Sequence, residues 1–310
     1  MIIYRCLREL EFHVTILTIL IDDGKFFDSS VRIIFDNIKL SDKTKKDIEF
    51  TKEIYIDYLK DLEEFKETDR EKILKALMNT ETIDNHSLER EDINLLRDYY
   101  ENHHSTAIRY LTKKLMNENQ PLNENIIKKA HEILMRGTSN ESIVCSGYRD
   151  NNKYFVGYVE DGQKIINFLP ICHEEIKEAM QAFINYYEST ITEEFDLLAK
   201  PFIIHGLLAT MQVFEDGNTR LARTLQHIKL QTLTNDLFTH EYNLSPFNLP
   251  AIYFSKNYIP FRYEYRKLIE DLALIHGDDE WNKWIEFNLY RMQERIFATD
   301  NSLILLKRKK

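Results

Sequence analysis

The chain has 310 residues, 43% apolar and 30% charged, a soluble globular composition with room for one large domain or two small ones. Its 8 glycines and 6 prolines are few, so long stretches carry no turn signal and a mostly helical protein is expected. A net charge of -10 without a basic face disfavours nucleic acid as a partner, no apolar run is long enough to span a bilayer, and 3 isolated cysteines without CxxC spacing point to a reducing, cytoplasmic setting.

In residues 1–45 the clearest signal is the β-branched run Val14 to Ile21, which fits a buried strand ending at the turn Asp22-Asp23-Gly24. From Ser41 the pattern turns helical through Tyr55, Leu59, Leu62 and Phe65. Further helices are expected over Glu71 to Met78 and Glu91 to Leu115, the latter broken at Asn117 to Pro121. Asn123 can cap the next helix, which buries Ile126, Ile127, Ala130 and Leu134.

The texture then changes. Residues 137–172 hold four of the eight glycines, and Ser142 to Arg149 and Tyr154 to Val159 alternate in places around Asp150-Asn151-Asn152. This predicts one β-hairpin, at residues 143–159, in a helical protein. Helices resume at Glu174 to Tyr187 and at Pro201 to Met211, and Trp281, Trp284, Ile285, Leu289, Met292 and Ile296 place a core-facing helix near the end. The short run Lys307 to Lys310 reads as a solvated end.

The chemistry concentrates in "QVFEDGNTRLAR", Gln212 to Arg223. A helix breaks at Asp216-Gly217-Asn218 and a second one begins. Gly217 allows a positive φ or a close backbone approach, and Asn218 can hold the turn. The new helix N-terminus presents unpaired N–H groups to an anion. Arg220 and Arg223 can aim guanidinium forks at phosphate oxygens, and Asp216 can hold a Mg²⁺ bridging them. The plainer alternative is a helix–helix turn with a solvated arginine pair.

This stretch resembles the signature of the Fic (filamentation induced by cAMP) family, H-P-F-x-[D/E]-G-N-G-R-x-x-R, with Phe214, Asp216, Gly217, Asn218, Arg220 and Arg223 in register. "GYRDNNKYFVG", residues 147–157, is similar to the family's flap, and "PAIYFSKNYIPFRYEYRKLIEDL" and "WNKWIEFNLYRM" to its C-terminal helices. The resemblance covers about residues 75 to 300. It implies an all-α fold with one β-hairpin flap, in which Gly147, Tyr148, Arg149, Phe155, Val156 and Gly157 meet a protein target. It implies ATP or another nucleotide with Mg²⁺ at Asp216, and phosphates held by Gly217, Asn218, Thr219, Arg220 and Arg223. It divides the chain into residues 1–74, a core at 75–240 and a helical extension at 241–310, and leaves a homo-oligomer open.

"TETIDNHSL", Thr80 to Leu88, resembles the family's inhibitory-helix motif [S/T]-x-x-x-E-[G/N], with Thr80, Asp84 and Asn85 at its three positions. The resemblance implies that Asp84 pairs with Arg223 and excludes a terminal phosphate; the alternative is that Asp84 caps a helix.

Two residues depart from the family. Gln212 stands where the family has its base histidine, and an amide cannot accept the target's proton near neutral pH. Losing a positioned base costs about 10²–10⁴ in rate. Thr219 replaces the second glycine, and in the Doc branch a lysine there accompanies a reversed nucleotide and phosphate transfer. His205 is two helical turns, about 10 Å, before Gln212, too far to substitute. The expectation is an impaired protein adenylyltransferase. The alternatives are a pseudoenzyme that binds nucleotide or a protein without chemistry, a phosphoryl transferase, and, outside the family, a helical interaction protein.

Overall fold

The computed structural model describes residues 4–7, 14–20, 26–32, 38–88, 97–138, 141, 147–160, 163–190, 196–242, 245–275 and 277–307. Strands β1 (Tyr4–Leu7), β2 (Val14–Leu20) and β3 (Phe26–Arg32) form an antiparallel sheet in that order. The expected strand at Val14 is thus present, within a sheet that the sequence reading did not foresee. The other regular elements among the described residues are helices and one hairpin.

Helix α1 (Asp42–Glu63) starts where Ser41 Oγ accepts from Thr44 N, and it buries Tyr55, Leu59 and Leu62. Helix α2 (Glu67–Leu88) runs on past the expected end at Met78. Asp84 is therefore interior to a helix and caps nothing. Helix α3 (Arg97–Leu111) passes into a π-helical turn, Thr112–Asn117; residues 91–96 of the expected helix lie outside the described residues. Helix α4 (Glu124–Met135) is capped by Asn123 Oδ1, which accepts from Ile126 N at 3.1 Å.

The hairpin pairs β4 (Val156–Glu160) with β5 (Gln163–Phe168). The expected pairing is corrected here. Residues 147–149 are irregular, residues 142–146 lie outside the described residues, and Asp150-Asn151-Asn152 is not the hairpin turn. Asn152 Oδ1 instead accepts from His173 N at 2.8 Å, stitching the loop to the next helix.

Helices α5 (Ile176–Glu188), α6 (Asp196–Met211), α7 (Asn218–Tyr242), α8 (Ser255–Tyr258), α9 (Arg262–Leu274) and α10 (Asp278–Lys307) complete the chain. One apolar core runs from Ile48 in α1 to Leu303 in α10, so α10 packs back on α1 and α6 rather than standing apart. Helix α6 is its axis, with every described side chain from Leu197 to Met211 buried. Trp284 Nε1 donates to Phe202 O at 2.8 Å, and a side chain at Gly206 would press on Trp281 and Trp284. Both tryptophans are core, as their spacing predicts.

Candidate functional site

Helix α6 carries the chain to the loop from inside the core. It ends on Gln212, whose φ of +49° is left-handed, a conformation that stops a helix but is uncommon outside glycine and asparagine. Gly217 is also left-handed, at φ +77°, and a Cβ there would lie 2.5 Å from Met135 Sδ. Of the two roles open to Gly217, the fold uses it for positive φ and for packing against α4.

The loop satisfies its own polar groups. Asn218 Nδ2 donates to Phe214 O at 2.9 Å and to Gln212 Oε1 at 3.0 Å, while its Oδ1 accepts from Phe214 N at 2.9 Å. Gln212 Nε2 donates to Ala209 O at 2.6 Å. Both ends of the Gln212 amide are therefore held by the protein. Gly217 N donates to Asp216 Oδ1 at 2.6 Å, and Asp216 Oδ2 lies 3.2 Å from Arg220 Nη2. The carboxylate expected to hold a metal and one arginine expected to hold phosphate neutralise each other.

His131, on α4, is a residue the sequence reading missed. Its Nε2–H donates to Asp216 O at 2.7 Å, and its ring stacks on Phe214 with centroids 3.7 Å apart. Burial lowers its pKa to about 4, so it is a neutral prop under the loop at physiological pH. The signal was present: His131 falls four residues after Ile127, on the buried face of α4.

The flap residues divide. Tyr148 lies tilted on Phe214, and Phe155 packs with Leu169 and Cys172. Val156 and Gly157 open β4, where a side chain at Gly157 would collide with the Ile165 carbonyl. Arg149 is corrected from target-facing to internal, since it is only 3% exposed. It donates from Nε to Gln212 O at 2.8 Å and from Nη1 to Asn151 O at 2.9 Å, and its Nη2 bonds Ile171 O; its backbone N reaches Val213 O at 3.0 Å. Burial lowers its pKa to about 10. A guanidinium pinned by carbonyls on both sides ties the base of the flap to the loop.

The two arginines of α7 diverge. Arg220 points to Asp216 and Met135 Sδ. Arg223, 0% exposed, donates from Nε to Asn85 Oδ1 at 2.6 Å and from Nη1 to Tyr265 Oη at 2.9 Å. The Tyr265 hydroxyl lies 2.9 Å from His205 Nε2, so the histidine two turns before the loop is committed in the core. His227, the other nearby histidine, lies 3.7 Å from Glu81.

The segment from Thr80 to Leu88 does meet Arg223, but not through Asp84. Asn85 makes the contact, while Asp84 faces the charges of Arg295 and Lys256, and burial raises its pKa. The reason is helical phase. Successive residues point 100° apart, and the buried face of α2 runs through Leu74, Met78, Glu81, Asn85 and Leu88. Thr80 lies off that face, its Oγ1 donating back to Ala76 O at 3.0 Å. Glu81 is 2% exposed, accepts from Ser255 N at 3.3 Å and from its hydroxyl, and is pushed by burial to a pKa of about 8.

Tested against a Mg²⁺–nucleotide, the loop as folded does not fit. The Asp216 carboxylate is bonded to Gly217 N and Arg220, and Arg223 to Asn85 and Tyr265. Among the described residues no group of three His, Cys, Asp or Glu is placed to hold a metal. A nucleotide here would have to displace these bonds.

A helical scaffold that carries a glycine-broken loop between two core helices, with a hairpin beside it, defines a class of proteins. Residues 121–230 match the model of the Fic/DOC family. No curated protein matches the chain. Among solved structures it is similar to a Fic family protein from Desulfovibrio desulfuricans G20, at 13% identity over 85% of this chain and 76% of that one, with a TM-score of 0.58. It is also similar to a Fic domain containing signaling protein from Bacteroides thetaiotaomicron VPI-5482, at 14% identity over 80% and 94%, TM-score 0.55. A third is Fic-1 from C. elegans, at 14% over 83% and 74%, TM-score 0.56. At these identities the likeness is one of fold. No helix among the described residues is long and apolar enough to cross a membrane.

Proposed function

We propose that this chain is a Fic-fold pseudoenzyme, a binding protein whose loop is closed to nucleotide transfer. Proteins of the family generally transfer nucleotide-derived groups to other proteins. One observation carries the proposal: Gln212 holds the position of the proton acceptor, and both ends of its amide are bonded within the loop, to Asn218 and Ala209. An amide so held neither takes a proton nor turns to orient a hydroxyl. The partner this reading favours is a protein at the β4–β5 hairpin, which pairs two strands among the described residues and would take an extended peptide by strand addition.

A second reading is favoured by the Asn85–Arg223 contact. In it the chain is a dormant adenylyltransferase using ATP and Mg²⁺, and α2 holds Arg223 back until it is moved. Incubation with α-labelled and γ-labelled ATP, Mg²⁺ and candidate proteins separates the two. The pseudoenzyme transfers neither label, with or without Asn85. The dormant enzyme transfers α-label once Asn85→Ala loosens the contact. Transfer of γ-label marks a phosphoryl transferase.

A further inference from the structure

Helices α1 and α10 lie side by side and run in the same direction. Thr44 Oγ1 donates to Asn282 Oδ1 at 2.7 Å near their starts, and Lys307 Nζ donates to Asp61 Oδ1 at 2.8 Å near their ends. Lys43 ties the pair on its solvent side, bonding Asp47 at 3.1 Å and also Glu286. One turn further along each helix stand Phe50 and Tyr290, so both rings are on that side. Phe297 and Ile304 follow Tyr290 at intervals of seven, a spacing that drifts only about 20° per step on a straight helix. All four side chains are open to solvent, from 39% at Ile304 to 56% at Tyr290. Exposed apolar residues standing singly, such as Tyr263 and Ile275, are ordinary, but a row of them marks a contact surface.

The row is self-complementary in spacing. Phe297 falls midway between Tyr290 and Ile304, so an antiparallel second copy of α10 sets Phe297 on Phe297 and Tyr290 on Ile304 about one two-fold axis. It is self-complementary in charge as well. Asp279, Glu286 and Glu294 share this face and outnumber Lys283, while α10 ends on Lys307 and the sequence continues Arg308-Lys309-Lys310. Antiparallel pairing brings each basic end toward the acidic stretch of the other copy, whereas parallel pairing would set like on like. It also brings the exposed Asn301 amide beside Glu294 of the other copy, a donor to an acceptor. The exposed parts of Phe50, Tyr290, Phe297 and Ile304 come to about 400 Å² per copy. That is the apolar half of the roughly 800 Å² a stable interface takes from each partner.

We propose that this face joins two copies of the chain into an antiparallel, two-fold dimer through α10, with Phe50 at the edge of the contact. The proposal is independent of what the loop does.

Sedimentation of the full chain at micromolar concentrations tests it, and the parent is expected to be a dimer. Phe297→Glu sets two carboxylates against each other on the axis and should weaken the dimer by more than about a hundredfold. Tyr263→Glu, at an exposed position on α9 outside the row, should leave it intact. Cross-linking with a short bis-maleimide reads the geometry against the parent's own thiols. Phe297→Cys should link to itself, and a mixture of Tyr290→Cys and Ile304→Cys should link one to the other. Tyr290→Cys alone should not, because the axis holds the two copies of position 290 about 20 Å apart along the helices. A monomeric parent, a Phe297→Glu variant that stays dimeric, or self-linking by Tyr290→Cys each overturns the proposal. Should Phe297→Glu not fold, the cross-linking pattern decides alone.

Discussion

Asn218 donates its side-chain amide to Gln212 Oε1 at 3.0 Å, and so joins the first residue of α7 to the residue that ends α6. The glutamine amide makes a second bond, its Nε2 donating to Ala209 O at 2.6 Å. Gln212→Ala should loosen the loop and raise its amide hydrogen exchange, above all at Phe214, whose N–H is held by Asn218 Oδ1. Unchanged exchange at Phe214 would mean that the loop is held from elsewhere.

Asn85 and Asp84 should differ sharply. Asn85→Ala leaves the Arg223 Nε–H buried without its acceptor, a loss of about 1–3 kcal/mol in denaturant unfolding. Asp84→Ala, off the buried face of α2, should change stability by about 0.5 kcal/mol or less. The reverse order would restore Asp84 as the partner of Arg223.

Gly217 has two constraints, and they can be separated. Gly217→Ala must take a φ of +77° and meet Met135 Sδ, so it should cost more than about 1 kcal/mol. Adding Met135→Ala removes the collision, and Met135→Ala alone accounts for the Arg220 contact that is lost with it. The double variant should therefore recover none of the part due to φ, and a chemical denaturation cycle measures what remains.

Stability should fall as pH rises from about 6.5 to 8. Glu81 has its pKa raised to about 8 in the folded protein, so over this range the native state holds a proton that the unfolded chain has released. This contribution is fully present below the unfolded pKa of about 4.3 and is lost as pH approaches the folded value. His131 and His227 act oppositely. Their folded pKa values are lowered to about 4 and about 3, so their contribution is present above about 6.5 and lost as pH falls. A maximum near pH 6.5 follows. Glu81→Gln keeps the Ser255 contacts, and should flatten the alkaline side of the curve in urea titrations at several pH values. An unchanged slope would place the titration elsewhere.

Much of this was legible in the sequence because local chemistry fixed it. Ser41 and Asn123 cap the helices they precede, Trp281 and Trp284 fall on a core stripe, and Gly217 takes the positive φ that its place in the turn allows. The hairpin's second strand was missed because Asp150-Asn151-Asn152 looked like its turn, whereas these residues serve Arg149 and His173. Arg149 was read as a surface flap residue, since nothing local says that its guanidinium bonds the carbonyls of Gln212 and Ile171, both distant in sequence. The Asp84 assignment followed a motif rather than a helical phase. Extending Leu74 and Met78 by the helical repeat arrives at Glu81 and Asn85, and that extension could have been made from the sequence.

The account rests on the loop being unable to accept a proton or receive a nucleotide as folded, and radiolabel transfer tests this most directly. The full chain, incubated with α-labelled ATP, Mg²⁺ and protein acceptors, should leave no label on itself or on them. A variant combining Gln212→His, Thr219→Gly and Asn85→Ala should acquire transfer, with Gln212→His the indispensable change because only it supplies a titratable lone pair. Label transferred by the unaltered chain as strongly as by that variant would contradict the account, because some other residue would then be the base.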